Sequence, residues 1–140
     1  MLNLNAQIIP GHSAAGIRLG QPMVDVLHHT SAQEVEVLPP LTVYRFGAVT
    51  VWARDGLVDQ IGVFASYTGT LPTGVGLGMP LVEVQRRMGP VVEEWDDTLM
   101  VEGSDGWCFE TGPWMNGWEV AQNLDAQLTE IFVNFCKQGE

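Results

Sequence analysis

The sequence predicts an α+β fold of two tandem units, each a short helix followed by an antiparallel meander, forming one curved sheet with the helices on one face. The segment GIRLGQPMVDVLHHT, residues 16–30, is repeated without gaps as GVGLGMPLVEVQRRM, residues 74–88. We call these the first and second motifs. Each is followed by short segments that alternate and are rich in β-branched and aromatic residues, as half-buried strands require. The motifs start 58 residues apart, too long a period for a solenoid repeat.

In each motif a glycine stands two residues before a proline: Gly20 before Pro22 and Gly78 before Pro80. Glycine permits a turn whose φ other residues resist, and the fixed φ of proline suits the first turn of a helix. We therefore expect a short helix to begin at each proline. The Gly-Pro pair at 89–90 is a typical stop signal for the second helix.

The first predicted unit is residues 1–69. It opens with a lead-in whose apolar run, 4–9, is compatible with an edge strand. Turn residues then separate the predicted strands, among them an Asp-Gly pair at 55–56 that is a strong hairpin signal. These strands are 34–38, 42–46, 48–53 and 57–65.

The second predicted unit is residues 70–140, after a turn-rich connector at 66–74. Its predicted strands are 91–95, 98–102, 107–111, 118–122 and 128–135. The final strands of the two units also correspond, since DGLVDQIGVF from Asp55 is similar to DAQLTEIFVN from Asp125, an offset of 70 residues. The second unit therefore carries twelve extra residues relative to the motif offset of 58, which we place near 112–123. Such an insertion is a candidate for specialised function.

The charge balance is the first indication of function. Six Lys and Arg against 17 Asp and Glu give a formal charge of −11. Such a field repels nucleic acid and anionic membranes, whereas it attracts a basic protein and speeds its association. The alternative is that the acidity only keeps the protein soluble.

The sequence predicts a cytoplasmic protein. It lacks a basic segment followed by an apolar one at its start, and no run approaches the ~20 apolar residues that span a bilayer. Cys108 and Cys136 lie in apolar, strand-like segments, so we expect buried free thiols rather than a disulfide.

The two motifs, GIRLGQPMVDVL and GVGLGMPLVEVQRRMG, give the chain a resemblance to known proteins. A helix opened by a glycine turn, followed by a meander and then repeated, resembles the β-lactamase-inhibitor protein family. It is also similar to the outer-membrane assembly lipoproteins of the SmpA/OmlA type, which carry one such unit. The resemblance implies a tandem α+β module whose curved sheet presents loops to a protein partner.

Enzymatic or metal chemistry has little support in the sequence. No carboxylate stands four residues after His12, His28 or His29, and GSDGW at 103–107 lacks the spacing of a calcium loop. No nucleophile, phosphate-loop or dinucleotide motif occurs. We predict no catalytic residue, no metal ligand and no cofactor. An enzyme remains an alternative only if His12 or His28 approaches the acids in space.

The tryptophans are more informative. Trp107 lies in a predicted strand beside Cys108 and Phe109 and is expected in the core. Trp114 and Trp118 fall in the extra segment between glycines. Trp and Met dominate protein-binding hot spots because they bury large area at small entropy loss, although these side chains could equally form a lid over the core.

Together these observations predict a protein-binding inhibitor, an immunity protein that neutralises a cognate bacterial toxin by occluding its active site. Its partner is expected to be a basic toxin or enzyme domain. The predicted anchors are Trp114, Met115 and Trp118, and the carboxylates predicted to meet Lys or Arg of the partner are Asp96, Asp97, Asp105 and Glu119. The alternative is a small-molecule-binding or structural domain with a tryptophan-lined pocket.

Overall fold

The structure is a computed structural model that describes residues 2–95, 98–112 and 117–136. For Trp95, Gly117 and Trp118 it describes the backbone only. Within these ranges the chain forms two short α-helices, α1 (Met23–Leu27) and α2 (Leu81–Met88), and a 3₁₀ helix at Gly117–Gln122. The strands are β1 (Ser13–Ala14), β2 (Ile17–Arg18), β3 (Glu34–Leu38), β4 (Leu41–Arg45), β5 (Val49–Arg54), β6 (Leu57–Phe64), β7 (Val91–Trp95), β8 (Thr98–Val101), β9 (Trp107–Gly112) and β10 (Gln127–Asn134).

Eight of the strands form one antiparallel sheet in the order β3-β4-β5-β6-β10-β9-β8-β7. From one edge of the sheet, the first four strands follow the order of the sequence and the last four follow the reverse order. The last strand of each half, β6 or β10, therefore lies at the centre of the sheet, where the two pair. β1 and β2 form a separate two-stranded ribbon.

The predicted α+β class, with helix-plus-meander units, is wrong: the fold is mostly β. The helices span only five and eight residues, while eight strands share one sheet. Helices this short are marginal by themselves and form here because they dock on the sheet. As predicted, the strands of both halves lie in one sheet, joined where β6 pairs with β10. The division of the chain at residues 69 and 70 stays a prediction.

Individual strands agree with the prediction to within one or two residues, with two exceptions. Residues 118–122 were predicted as a strand but belong to the 3₁₀ helix, and the run 4–9 contributes an isolated bridge at Ile9 rather than a strand. The β1–β2 hairpin was not predicted. Its two turn residues, Ala15 and Gly16, have φ of 59° and 80°, the left-handed values of a type I′ turn, which an Ala-Gly pair only weakly signals.

Both motifs attach to the sheet through the same backbone hydrogen bonds. In the first, the amide of Gly20 donates to the carbonyl of Val58 at 2.7 Å, and the amide of Val58 donates to the carbonyl of Gln21 at 2.9 Å. The corresponding bonds of the second motif run from Gly78 to Leu128 at 2.8 Å and from Leu128 to Met79 at 3.0 Å. Each helix is thereby held against the long central strand of its own half, with the predicted proline at its N-cap.

A single hydrophobic core lies between the sheet and the layer made by the helices, the β1–β2 ribbon and the connector. Met23 and Val26 of α1 and Leu81 and Val84 of α2 enter it, and all four are buried. The central strands supply its floor with Val49, Val51, Ile61, Val63, Ile131 and Val133. Burial of this apolar surface, at roughly 25 cal/mol per Å², is the main stabilising term.

Tyr67, in the connector, fixes the N-terminal lead-in (residues 2–15) against this core through its hydroxyl group. Its ring is buried, its hydroxyl donates to the carbonyl of Ala6 at 2.6 Å, and the same oxygen accepts the amide hydrogen of Ala15 at 2.8 Å. Burial raises the pKa of the Tyr67 hydroxyl, so it stays protonated and can donate. One side chain therefore satisfies two backbone groups from distant segments.

We expect Tyr67→Phe to lower the free energy of unfolding by about 1–3 kcal/mol, because it leaves the amide of Ala15 and the carbonyl of Ala6 without this partner. Tyr44→Phe is the matched control, since the hydroxyl of this other tyrosine has no hydrogen-bond partner among the described residues. Urea unfolding of both variants measures the difference. Equal stabilities would show that the Tyr67 hydroxyl contributes nothing.

Candidate functional site

Most of the predicted partner-binding residues lie outside the described part of the chain. Trp114, Met115, Asp96 and Asp97 fall in residues 96–97 and 113–116, and the backbone of Trp118 lies in the 3₁₀ helix. Their role as anchors stays a prediction.

Asp105 and Glu119 are described, and both are exposed. Asp105 accepts the amide hydrogen of Gly106 through Oδ1 at 2.7 Å, a local turn contact. The backbone carbonyl of Glu119 accepts a hydrogen bond from Asn123 Nδ2 at 2.8 Å within the 3₁₀ helix. Neither contact points to a shared site, so their part in partner binding also stays a prediction.

Trp107 is in the core, as predicted. It is buried, stacks on Phe109 with ring centroids 5.4 Å apart, and donates from Nε1 to the hydroxyl oxygen of Ser104 at 2.8 Å. In the described ranges, no three His, Cys, Asp or Glu side chains approach closely enough to hold a metal ion.

A groove crosses the middle of the sheet on the face opposite α1 and α2. We call it the central groove; its volume is about 300 Å³. Side chains alternate along a strand, so the residues next to those that enter the core line this other face. The described residues that line the groove all belong to strands: Trp52, Gln60, Thr98, Cys108, Glu110, Phe132 and Asn134.

Aromatic rings form one wall of the central groove. Trp52 packs edge-on against Phe132 with centroids 5.9 Å apart, and Phe64 packs edge-on against the other side at 6.1 Å. The three rings meet over Gly62, where a Cβ atom would lie 3.0 Å from Trp52 and 3.1 Å from both phenylalanines. Glycine at this position lets the rings close over the backbone, which sets the shape of the wall.

The opposite wall is polar. Among the described lining residues Glu110 alone carries a formal charge, and the hydroxyl of Thr98 donates to its Oε2 at 3.4 Å. Asn134 donates from Nδ2 to the sulfur of Cys108 at 3.6 Å. The lining of the groove thus combines a carboxylate, two amides and a hydroxyl with the rings of Trp52 and Phe132.

Cys108 is not an activated nucleophile. Burial raises the pKa of its thiol to about 12, and the negative charge of Glu94 adds to the effect. The thiol is therefore protonated at neutral pH, whereas a nucleophilic cysteine needs a lowered pKa. The other cysteine, Cys136, is exposed, so the prediction that both thiols are buried holds for Cys108 only.

Two described arginines on the groove face of the sheet, Arg45 and Arg54, lie beside carboxylates. Arg45 lies on the same face, opposite Thr50 in register, and its guanidinium is 3.0 Å from Glu36 and 3.7 Å from Glu34. On the neighbouring strand, Arg54 lies 4.0 Å from Asp59.

Sequence reasoning missed the central groove. Trp52 and Phe132 were assigned to predicted strands, and their roles as wall residues depend on which strands become neighbours. One signal was present: Trp52 alternates with Val51 and Ala53, so a large aromatic ring occupies the face opposite two core residues.

Neither a protein-family model nor a curated protein matches this chain. The resemblance to β-lactamase inhibitors and SmpA/OmlA lipoproteins therefore stays a prediction. Among the described helices, none is long and apolar enough to cross a membrane.

Solved structures that share the fold include two of low sequence identity. The uncharacterized protein yfeY from Escherichia coli has a TM-score of 0.58 at 14% identity, over 92% of this chain and 99% of that one. A cysteine-rich secretory protein, SAV1118, from Staphylococcus aureus has a TM-score of 0.51 at 10% identity, over 93% of this chain and 49% of that one. At these identities the likeness concerns the fold alone.

We expect the two cysteines to react very differently with a chromogenic thiol reagent at neutral pH. Cys136 is exposed and should react at once, whereas Cys108 should react only when the protein unfolds. The absorbance should therefore show one fast equivalent per chain and a second on adding denaturant. Cys136→Ser should remove the fast phase. A fast phase that persists in that variant would mean that Cys108 is accessible.

Proposed function

We propose that this protein is an inhibitory binding module, an immunity protein that masks a basic toxin or enzyme domain in the cytoplasm. The central groove is proposed as its recognition site, where it receives a Lys or Arg side chain of the partner. The observation that carries the proposal is the pairing of the Trp52 and Phe132 rings with the Glu110 carboxylate across one groove.

The chemistry of the two walls favours a cation. The face of an aromatic ring attracts a positive charge through its quadrupole, an effect of about 0.5–2 kcal/mol that is largest for Trp. A carboxylate in a partly enclosed groove adds a charge-assisted hydrogen bond. An anion in the groove would be repelled by the negative charge of Glu110. An apolar group is also disfavoured, because it would remove water from that carboxylate without replacing its hydrogen bonds.

The net negative charge of the whole chain also supports binding of a positively charged partner. At −11 the protein attracts a basic partner over several ångströms and orients the encounter. A sheet face that docks over an active cleft inhibits by steric occlusion, which requires no chemistry from the binder. Trp114, Met115 and Trp118 belong to this proposal as additional anchors.

A second candidate function is the binding of a small cationic ligand. The volume of the central groove, about 300 Å³, lies at the lower end of the range for small-molecule sites. Such a ligand should quench the fluorescence of Trp52 in the isolated protein. Comparison with Trp52→Phe, which keeps a ring in the wall, isolates this signal from the other four tryptophans.

The decisive experiment begins with the partner. Immobilised wild-type protein is incubated with extract of the source cell at low and moderate salt, and retained proteins are identified by mass spectrometry. We expect salt-sensitive retention of one basic protein whose enzymatic activity falls on titration with this protein. If a small ligand is the true occupant, no protein is retained specifically while the fluorescence assay responds.

With the partner in hand, we expect Trp52→Ala and Glu110→Gln each to weaken binding by about 2 kcal/mol, roughly thirtyfold, the size of a hot-spot loss. Calorimetric titration measures this change. Glu102→Gln is the matched control for charge, since Glu102 is an exposed carboxylate away from the groove, and it should leave the affinity nearly unchanged.

The double variant Trp114→Ala/Trp118→Ala tests the other predicted anchors in the same titration, with an expected loss of at least about 2 kcal/mol. If it loses affinity while Trp52→Ala does not, partner binding lies in the extra segment and the groove assignment is wrong. If both folded variants bind normally, the proposed surface is wrong altogether.

A further inference from the structure

The second motif contains a guanidinium held in a defined place. Arg87 donates from Nε to Glu83 Oε2 at 2.8 Å and from Nη1 to the backbone carbonyl of Thr73 at 3.0 Å. Its head group passes directly over Gly74, where a Cβ atom would lie 2.5 Å from Nη1. A carboxylate, a carbonyl and a glycine surface together form the seat of this side chain.

The first motif has the same seat without an arginine. In the gapless alignment of the motifs, His29 corresponds to Arg87, Asp25 to Glu83 and Gly16 to Gly74. Among the described residues, only the Cβ of Asn3 would lie within 4 Å of a Cβ atom at Gly16, at 3.9 Å. A pocket of about 250 Å³ lies there, which we call the α1 pocket. Its lining includes Asn3, Ala15, Gly16, Asp25 and His29.

The correspondence is structural as well as sequential. Gly16 and Gly74 have φ of 80° and 89°, and both helices follow a proline in extended conformation. The hydrogen bonds that attach the two motifs to the sheet also match, as described above. The α1 pocket therefore lies where the second motif holds the Arg87 head group.

Side-chain length explains why this space is open. A histidine ring is shorter than an arginine side chain, and the Asp25 carboxylate is one methylene shorter than that of Glu83. In the alignment Asp25 takes the place of Glu83 and Ala15 that of Thr73, and both line the α1 pocket. The Ala15 carbonyl accepts the Asn3 amide at 3.1 Å, which leaves its second lone pair for another donor.

We propose that the α1 pocket binds a guanidinium group supplied from outside the chain. This inference goes beyond the central groove, which lies on the other face of the sheet. The planar guanidinium presents several N–H donors in a fixed fork, which suits two acceptors set apart as a carboxylate and a carbonyl. An ammonium group is a compact point charge and engages such an arrangement less well. The source is either an arginine side chain of a protein or a small guanidino compound.

The test uses the full chain, labelled with ¹⁵N, and four probes. Blocked arginine (N-acetyl-arginine amide) represents a protein side chain, agmatine represents a small guanidino compound, and N-acetyl-lysine amide and cadaverine are the ammonium controls. We expect saturable shifts of the Gly16, Val26 and Thr30 amide signals with guanidinium probes, and at least tenfold weaker binding of the matching ammonium probes. The stronger of the two guanidinium probes identifies the source.

Variants locate the site. Asp25→Glu/His29→Arg builds the Glu83–Arg87 pair of the second motif into the first, so the protein should fill its own α1 pocket, remain folded and lose binding of the probes. Asp25→Asn should weaken binding at least tenfold, because it removes the charge and keeps the shape. Glu102→Gln, a remote exposed carboxylate, should leave binding unchanged.

Several results would overturn the proposal: no saturable shift in the folded wild-type protein, equal binding of arginine and lysine probes, or undiminished binding by the Asp25→Glu/His29→Arg variant. Shifts confined to Gln60 and Asn134 would instead assign the cation to the central groove. Trp52→Ala separates the two sites, since it should leave the Gly16 and Thr30 shifts intact.

Discussion

The antiparallel pairing of β6 with β10 is the contact on which the rest of the structure depends. It joins the two halves of the sheet through five residue pairs. Successive side chains point to opposite faces, so the register that directs Ile61 and Ile131 into the core directs Gln60 and Phe132 into the central groove. A slip of one residue would exchange the two faces, and burial of the isoleucines therefore fixes the shape of the groove as well.

The two proposed sites share one electrostatic feature, a carboxylate beside open space. Four of the five described arginines, Arg45, Arg54, Arg86 and Arg87, lie beside carboxylates of the same chain. Hydrogen bonds from Arg86 and Arg87 lower the pKa of Glu83 to about 2, which shows how strongly two guanidinium groups favour its charged form. The central groove and the α1 pocket each combine a carboxylate with open space. We therefore propose a positive group as the occupant of both, and a basic protein partner would supply several.

The sequence led to the right strands but the wrong fold class. Alternation of apolar and polar residues is a local property, so β3 to β10 were located within one or two residues. The two glycine–proline motifs were also recognised correctly as helix starts. The predicted class gave these helices too much weight. They span only five and eight residues, whereas eight strands share one sheet, so the fold is mostly β. The predicted strand at 118–122 became a 3₁₀ helix because local β propensity is overridden by tertiary context.

By itself the sequence determined the net charge, the strand positions and the correspondence of the two motifs, because each depends on residue type or on neighbours along the chain. Only the tertiary structure decided that β6 lies beside β10, which brings Trp52 and Glu110 to one groove from strands far apart in sequence. It also decided that the seat filled by Arg87 has an open counterpart beside Asp25. Both results depend on distances in space, which residue order does not specify.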